Sequence, residues 1–394
     1  MNLAPWQGGR RLLSLAGGLA VVGLGLTLAG GLLFDARRAL FSYLVAFVTW
    51  LGIALGALIL LGAFHAANAR WPVVLRRFLE HAAQSVPVFV LLFLPIAAGM
   101  KRLFPWADPS ALTGELAHLV HHKAPYLNTG FFLLRAAVYF AVWILVAYGL
   151  RTWSVRQDQG GGPSLTIRQR RLGAGALPFL ALTMTFAAFD WMMSLDPRFF
   201  STIFGVYWFA GSFMATFAVT IVAANATRPD PTGFGHHMNV DHFHALGKFL
   251  LAFVAFWAYV AFSQFMLIWI ANVPEEVPWY ILRTEGRWRW VGVFVALSQF
   301  IVPFFALLQK AVTRNPARLA RVAAWLLVVH WVDLYWLVMP HLHPEGPRPW
   351  IFDLTAFVGV GGAAVAFTLV RMRGTASVPV RDPYLEDSLR YQPQ

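Results

Sequence analysis

Arg135 stands inside an otherwise apolar run, FFLLRAAVYFAVW. A charge in such a run is costly and usually faces the interior of a helix bundle. The predicted helix starts about nine residues earlier, which puts the guanidinium roughly 13 Å deep at 1.5 Å per residue. It needs an acidic partner. Asp190 and Asp333 lie in the outer halves of two other apolar runs, and Asp353 is a shallower third candidate. Two roles fit such a pair: a static ion pair that fixes helix register, or a charged step on a proton path.

His330 and Asp333 are three residues apart and share one face of a predicted helix. A carboxylate beside an imidazole can relay protons, because histidine titrates near neutral pH. The plainer alternative is a hydrogen-bonded core histidine. Haem b would need two histidines facing each other, and nothing in the spacing of His65, His81, His244 and His330 demands one. His244 and Lys248 form an i,i+4 pair, just after Asp241 and His242. Lys248 could simply snorkel to the interface. It could also mark a proton intake, with His81 and Gln84 facing it. Gln264 and Gln299 lie deeper, as members of a water chain or as glue between helices.

The elements that must position these residues follow from composition. Of 394 residues, 58% are hydrophobic and only 12% are charged. A soluble domain carries about 25% charged residues, so this is an all-α polytopic membrane protein. About 20 apolar residues span a bilayer, and ten such stretches are predicted: 11–33, 40–66, 82–100, 127–150, 172–195, 201–226, 245–271, 289–310, 319–340 and 350–371. The first follows Arg10-Arg11 without a cleavage site and reads as a retained span. Lys and Arg favour one set of loops by roughly two to one, which predicts cytoplasmic termini. The net charge of +13 therefore reads as topology, not as affinity for nucleic acid. There are no cysteines, which excludes a Cys-ligated cluster and covalent c-type haem in this chain.

Residues 1–373 read as one transmembrane domain, and 374–394 as a polar tail left loose unless a partner holds it. The longest connections are predicted at 101–126, 151–171 and 227–244. Asp108-Pro109 predicts the start of a short surface helix. The segment from Pro274 to Arg289 mixes tryptophans with both charge signs, as a docking surface or a solvated aromatic belt would. P-loop, dinucleotide-fingerprint and nucleophile-elbow motifs are absent. A stand-alone secondary transporter would be expected to show broken mid-membrane helices and a repeat. The apolar runs are mostly uninterrupted, although Pro87, Pro95 and Pro303 could kink two of them.

Three segments carry a family resemblance: KAPYLNTGFFLLR (123–135), FDWMMSLDPRFFSTIFGVYWFAG (189–211) and FSQFMLIWIANVPEE (262–276). With them the chain resembles the F-type membrane subunit of alternative complex III, a bacterial quinol:cytochrome c or quinol:acceptor oxidoreductase. That subunit belongs to the wider polysulfide-reductase membrane-subunit (NrfD-like) family. The resemblance implies two four-helix bundles, spans 2–5 and 6–9, with one further helix beside each. It implies a bacterial inner membrane location and partners: a homologous C-type membrane subunit, an iron–sulfur subunit and c-haem subunits. Clusters and haem c would sit on those partners. A quinone or quinol is implied for the complex, and the role of this subunit is left between proton conduction and scaffolding. Relatives usually read His-Asp-Leu-Gly-Lys at the start of span 7, where this chain has His244-Ala245-Leu246-Gly247-Lys248. The missing carboxylate weakens a proton intake there unless Asp241 substitutes.

Overall fold

The computed structural model describes residues 5–162 and 164–392. It is helical, with no strand among the described residues. Ten helices are long and apolar enough to cross a membrane, which makes this a multi-pass membrane protein. Spans 1 to 10 are Arg10–Leu33, Ala36–Ala66, Val73–Ala98, Thr129–Asp158, Ser164–Leu195, Phe204–Thr227, Val240–Ala271, Trp288–Leu308, Pro316–His341 and Ile351–Met372.

Local chemistry sets the starts and stops. Side chains of Asp35, Asn128, Asn239 and Asn315 accept hydrogen bonds from backbone N–H groups in the first turns of spans 2, 4, 7 and 9, which satisfies otherwise orphaned donors. Span 7 ends on Asn272 in the left-handed conformation, at φ 47°, with Pro274 two residues on. Span 3 is broken into short helical pieces around Pro87 and Pro95. In span 8 the residues just before Pro303 form a π-helical stretch, Ala296–Ile301. Proline lacks the N–H that an α-helix would use there, and a wider turn absorbs the lost bond.

Spans 2–5 close one four-helix ring and spans 6–9 a second, and span 2 packs against spans 6 and 9 to join them. Span 2 is the central helix, with 94% of its most apolar window buried. The two remaining helices do not flank one bundle each. Spans 1 and 10 pack on one another, and both lie against span 2. Glycines permit this crossing: a Cβ on Gly23 would lie 2.6 Å from the Thr355 carbonyl oxygen, and one on Gly359 would lie 2.6 Å from the Leu24 nitrogen. The Thr27 and Thr355 hydroxyls hydrogen-bond across the same seam at 2.7 Å. Close backbone approach of small residues is the usual glue between helices in lipid. Gly359→Ala should therefore cost about 1–3 kcal/mol through overpacking. Reversible unfolding in micelles reads this, and unchanged stability would contradict the crossing.

Several predicted boundaries shift. Span 3 starts at Val73, not 82, because its Arg76, Arg77 and Glu80 are buried and ion-paired, Arg77 with Glu80 and Arg76 with Asp382 of the tail. Spans 4 and 5 extend into the predicted 151–171 loop, with helix up to Asp158 and again from Ser164. The surface helix after Asp108-Pro109 begins later, at Gly114, preceded by a 3-10 turn.

The tail is pinned rather than loose. The Trp6 and Gly374 N–H groups donate to the carbonyls of Thr375 and Trp6, so the segment before span 1 and the start of the tail meet on one side, called here the tail side. Arg76 pairs with Asp382, the Ser388 hydroxyl donates to the Trp71 carbonyl at 2.6 Å, and the Asn239 amide donates to the Tyr391 carbonyl at 2.8 Å. Arg76 and Asp382 are both buried. Asp382→Asn removes the counter-charge of a buried cation, so the tail should become cleavable by trypsin at Arg381 and Arg390. Cleavage no faster than in the wild type would refute the latch.

Candidate functional site: a buried carboxylate without a cation

Of three buried acids, two are paired with arginines and one is not. Asp353, at the start of span 10, pairs with Arg38 and accepts a hydrogen bond from the Ser42 hydroxyl at 2.7 Å. Asp190 pairs with Arg135, from the neighbouring helix of its own bundle. The two guanidinium nitrogens Nε and Nη2 each donate to one carboxylate oxygen at 2.8 Å. The Tyr139 hydroxyl adds a third bond to Asp190 at 2.8 Å, and Arg135 Nη1 donates to the Tyr126 carbonyl. The guanidinium also lies 3.8 Å from the Tyr126 ring centroid, a stacking contact suited to its planar charge. Both carboxylate oxygens and all three guanidinium nitrogens are engaged. Span 4 begins at Thr129, so Arg135 lies about 9 Å in from the helix start, shallower than the sequence suggests.

Asp333 is different. It is fully buried in span 9, and no Lys or Arg among the described residues comes within 4 Å of its oxygens. Neutral donors hold it instead. The Tyr207 hydroxyl of span 6 donates to Oδ1 at 2.6 Å. Trp257 Nε1 of span 7 and Gln299 Nε2 of span 8 donate to Oδ2 at 3.2 and 3.3 Å. Gln299 reaches in from the π-helical stretch, a local distortion that often marks functional positions. A charge taken out of water without a counter-ion is expensive. The site suits a carboxyl group that gains and loses a proton.

His330 stands beside it. Its Nδ1 is 3.9 Å from Asp333 Oδ2, beyond hydrogen-bond distance. Neither ring nitrogen has a partner, although the ring is buried. A Cβ on Gly211 would lie 2.7 Å from the ring, so only glycine leaves room for it. Buried polar atoms are nearly always satisfied, and an orphaned imidazole next to a cation-free acid is the anomaly of this bundle. Gln264 is also buried with an unpartnered amide nitrogen. Ser212 on span 6 has an unpartnered buried hydroxyl, one turn from Tyr207 and followed by buried Thr216 and Thr220 at helical spacing.

On the tail side the polar residues do not gather. The His244 ring nitrogen Nδ1 lies 2.9 Å from the Thr313 hydroxyl, and Asp241 pairs with Arg314 at 2.9 Å. Lys248 is exposed and in no ion pair. It edges a cavity of about 280 Å³ shared with Trp71, His244 and Tyr391. His81 and Gln84 turn elsewhere: His81 Nε2 lies 3.2 Å from the Thr375 hydroxyl, and Gln84 bonds with the Ala147 carbonyl and Arg371. No hydrogen bond joins them to His244 or Lys248.

On the opposite, far side, the 274–289 segment forms a short helix, Val277–Thr284. Its Trp279, Arg283 and Trp288 are buried, whereas Trp269 and Trp290 are exposed. A cavity of about 530 Å³ runs from this helix toward Tyr207 and Trp257. A quinone head placed against Asp333 would need a free donor at the deep end. Tyr207 and Trp257 already donate to Asp333, which leaves the unpartnered Nε1 of Trp336 as a free buried donor on the cavity wall.

Sequence reasoning passed over Tyr207 and Trp257. Aromatics inside apolar runs read as core or belt, and only a hydroxyl at that depth hinted at more. No protein-family model and no curated protein matches the chain.

Proposed function

We propose that this chain is an integral membrane subunit of a bacterial respiratory quinol:electron-acceptor oxidoreductase of the alternative complex III type, and that it handles protons at Asp333. The observation that carries the reading is the cation-free Asp333, held by donors from three helices beside an unpartnered His330. The segments 123–135, 189–211 and 262–276 support the assignment to that complex. Quinol oxidation then belongs to the homologous C-type membrane subunit. Electrons leave through iron–sulfur and c-haem subunits, and this chain carries no redox centre. It lies in the cytoplasmic membrane with the tail side inward, as the Lys and Arg bias favours. The exposed Trp290 with Glu275, Glu285 and Arg287 offers the far-side surface to those extrinsic subunits.

Within this reading each residue has a task. Tyr207, Trp257 and Gln299 fix the Asp333 oxygens in place. His330 takes or returns the proton after a small ring movement. Gln264 and the hydroxyls of Ser212, Thr216 and Thr220 offer polar stations toward the rest of the bundle. Arg135 and Asp190 are different, since each charge has its counter-ion: they hold spans 4 and 5 in register. That feature favours a second reading, in which the whole chain is a structural anchor of the same complex.

A mild-detergent pull-down of the tagged chain, from cells expressing its native operon, tests the assignment. Mass spectrometry should find an iron–sulfur subunit, and the reduced-minus-oxidised spectrum should show c-haem. A haem-free chain without partners would sink it.

A further inference from the structure

The far-side cavity has a polar lip and an apolar depth. At the lip lie Thr284, Arg289 and the buried Arg283. Arg283 is fully buried and has no carboxylate within 4 Å; it donates to the carbonyls of Trp279 and Leu337 and to His341 Nε2. Its Nε has no partner. Burial pushes this guanidinium down to about 9, which still leaves it cationic at neutral pH. Arg289 is exposed and likewise in no ion pair.

Below the lip the walls are Ala258, Ala261, Phe262, Phe265, Val293 and Phe300. Phe262, Phe265 and Val293 are exposed at the lipid-facing edge, so the cleft opens sideways. From Arg289 to Phe300 it follows eleven residues of helix, about 16 Å. A second apolar cleft, of about 480 Å³, lies on the tail side, but its polar lining includes Asp230 and no Lys or Arg. Cavities at Arg102, Lys123 and Lys248 each offer one cation and none that is buried, whereas the far-side cleft sets a long apolar wall beside two arginines without a carboxylate within 4 Å, one of them buried.

We infer that this cleft binds an anionic phospholipid, its phosphate at Arg289 and Thr284 in the field of Arg283, and one acyl chain running down to Tyr207. The site is independent of the redox reading. A bound chain would seal the side of the bundle next to Asp333 against water.

The test uses the full chain, washed in detergent and exposed to mixed micelles of phosphatidylglycerol and phosphatidylcholine, with retained lipid read by native mass spectrometry. The wild type should keep phosphatidylglycerol over phosphatidylcholine by about fivefold or more, the contribution of one cation near an anionic headgroup. Arg289→Gln, at an exposed position, should erase that preference. Val293→Trp, which fills the cleft from its exposed edge, should abolish retention while leaving the melting temperature of the lipid-free protein unchanged. Equal retention of both lipids by the wild type would overturn the site. So would full competition by inorganic phosphate, or recovery of a quinone instead of lipid from the washed protein.

Discussion

Arg135→Ala is expected to destabilise the protein by about 3–5 kcal/mol, because it strands the buried Asp190 charge without its cation. Asp190 is fully buried and receives two of its three side-chain hydrogen bonds from Arg135. Arg135→Lys should recover only part of this loss, since an ammonium cannot make the two parallel bonds. The double variant Arg135→Met with Asp190→Leu should regain most of the stability, because replacing a whole buried pair by apolar groups is often neutral. Unfolding equilibria in bicelles or micelles measure all three. A double variant no more stable than the singles would show that the pair does more than pin spans 4 and 5.

Asp333→Asn should behave in the opposite way: little change in stability and a large loss of proton transfer. The asparagine carbonyl, placed where Oδ2 stands, can still accept from Trp257 and Gln299. The new amide then takes the place of Oδ1 and donates to the Tyr207 hydroxyl oxygen, which can accept as well as donate. The fold should therefore hold to within about 1 kcal/mol. If Asp333 is the proposed proton-exchanging group, proton uptake by the proposed complex in vesicles should fall about 100-fold, within the range for loss of a positioned acid or base. Asp333→Leu should also cost stability, since it leaves three buried donors unpaired. Normal proton uptake by Asp333→Asn would favour the structural anchor.

How much of this was legible in the sequence depended on whether a signal was local. Ten apolar stretches and a lone arginine within one of them are local, and both were readable. The partner of Arg135 was not, because Asp190 and Asp333 sit at similar depth and only the bundle topology separates them. Asp190 lies in the bundle of Arg135, and Asp333 lies in the other. The start of span 3 was hidden because hydropathy counts Arg76, Arg77 and Glu80 as solvated, whereas each finds a partner. The tail read as loose from its polarity, yet that polarity is what ties it to Arg76, Trp71 and Asn239. The Asp333 site was half visible: the His330–Asp333 spacing stood out, but the donors come from spans that sequence distance does not bring together.

The most direct measurement is an infrared difference spectrum of the proposed quinol-oxidising complex on addition of oxidant, for the wild type and Asp333→Asn. If Asp333 handles the proton, the wild type shows a change in the carbonyl stretch of a protonated carboxylic acid, and that band is missing from the variant. The same band at full strength in Asp333→Asn would mean that the proton travels elsewhere and that Asp333 is only part of the scaffold.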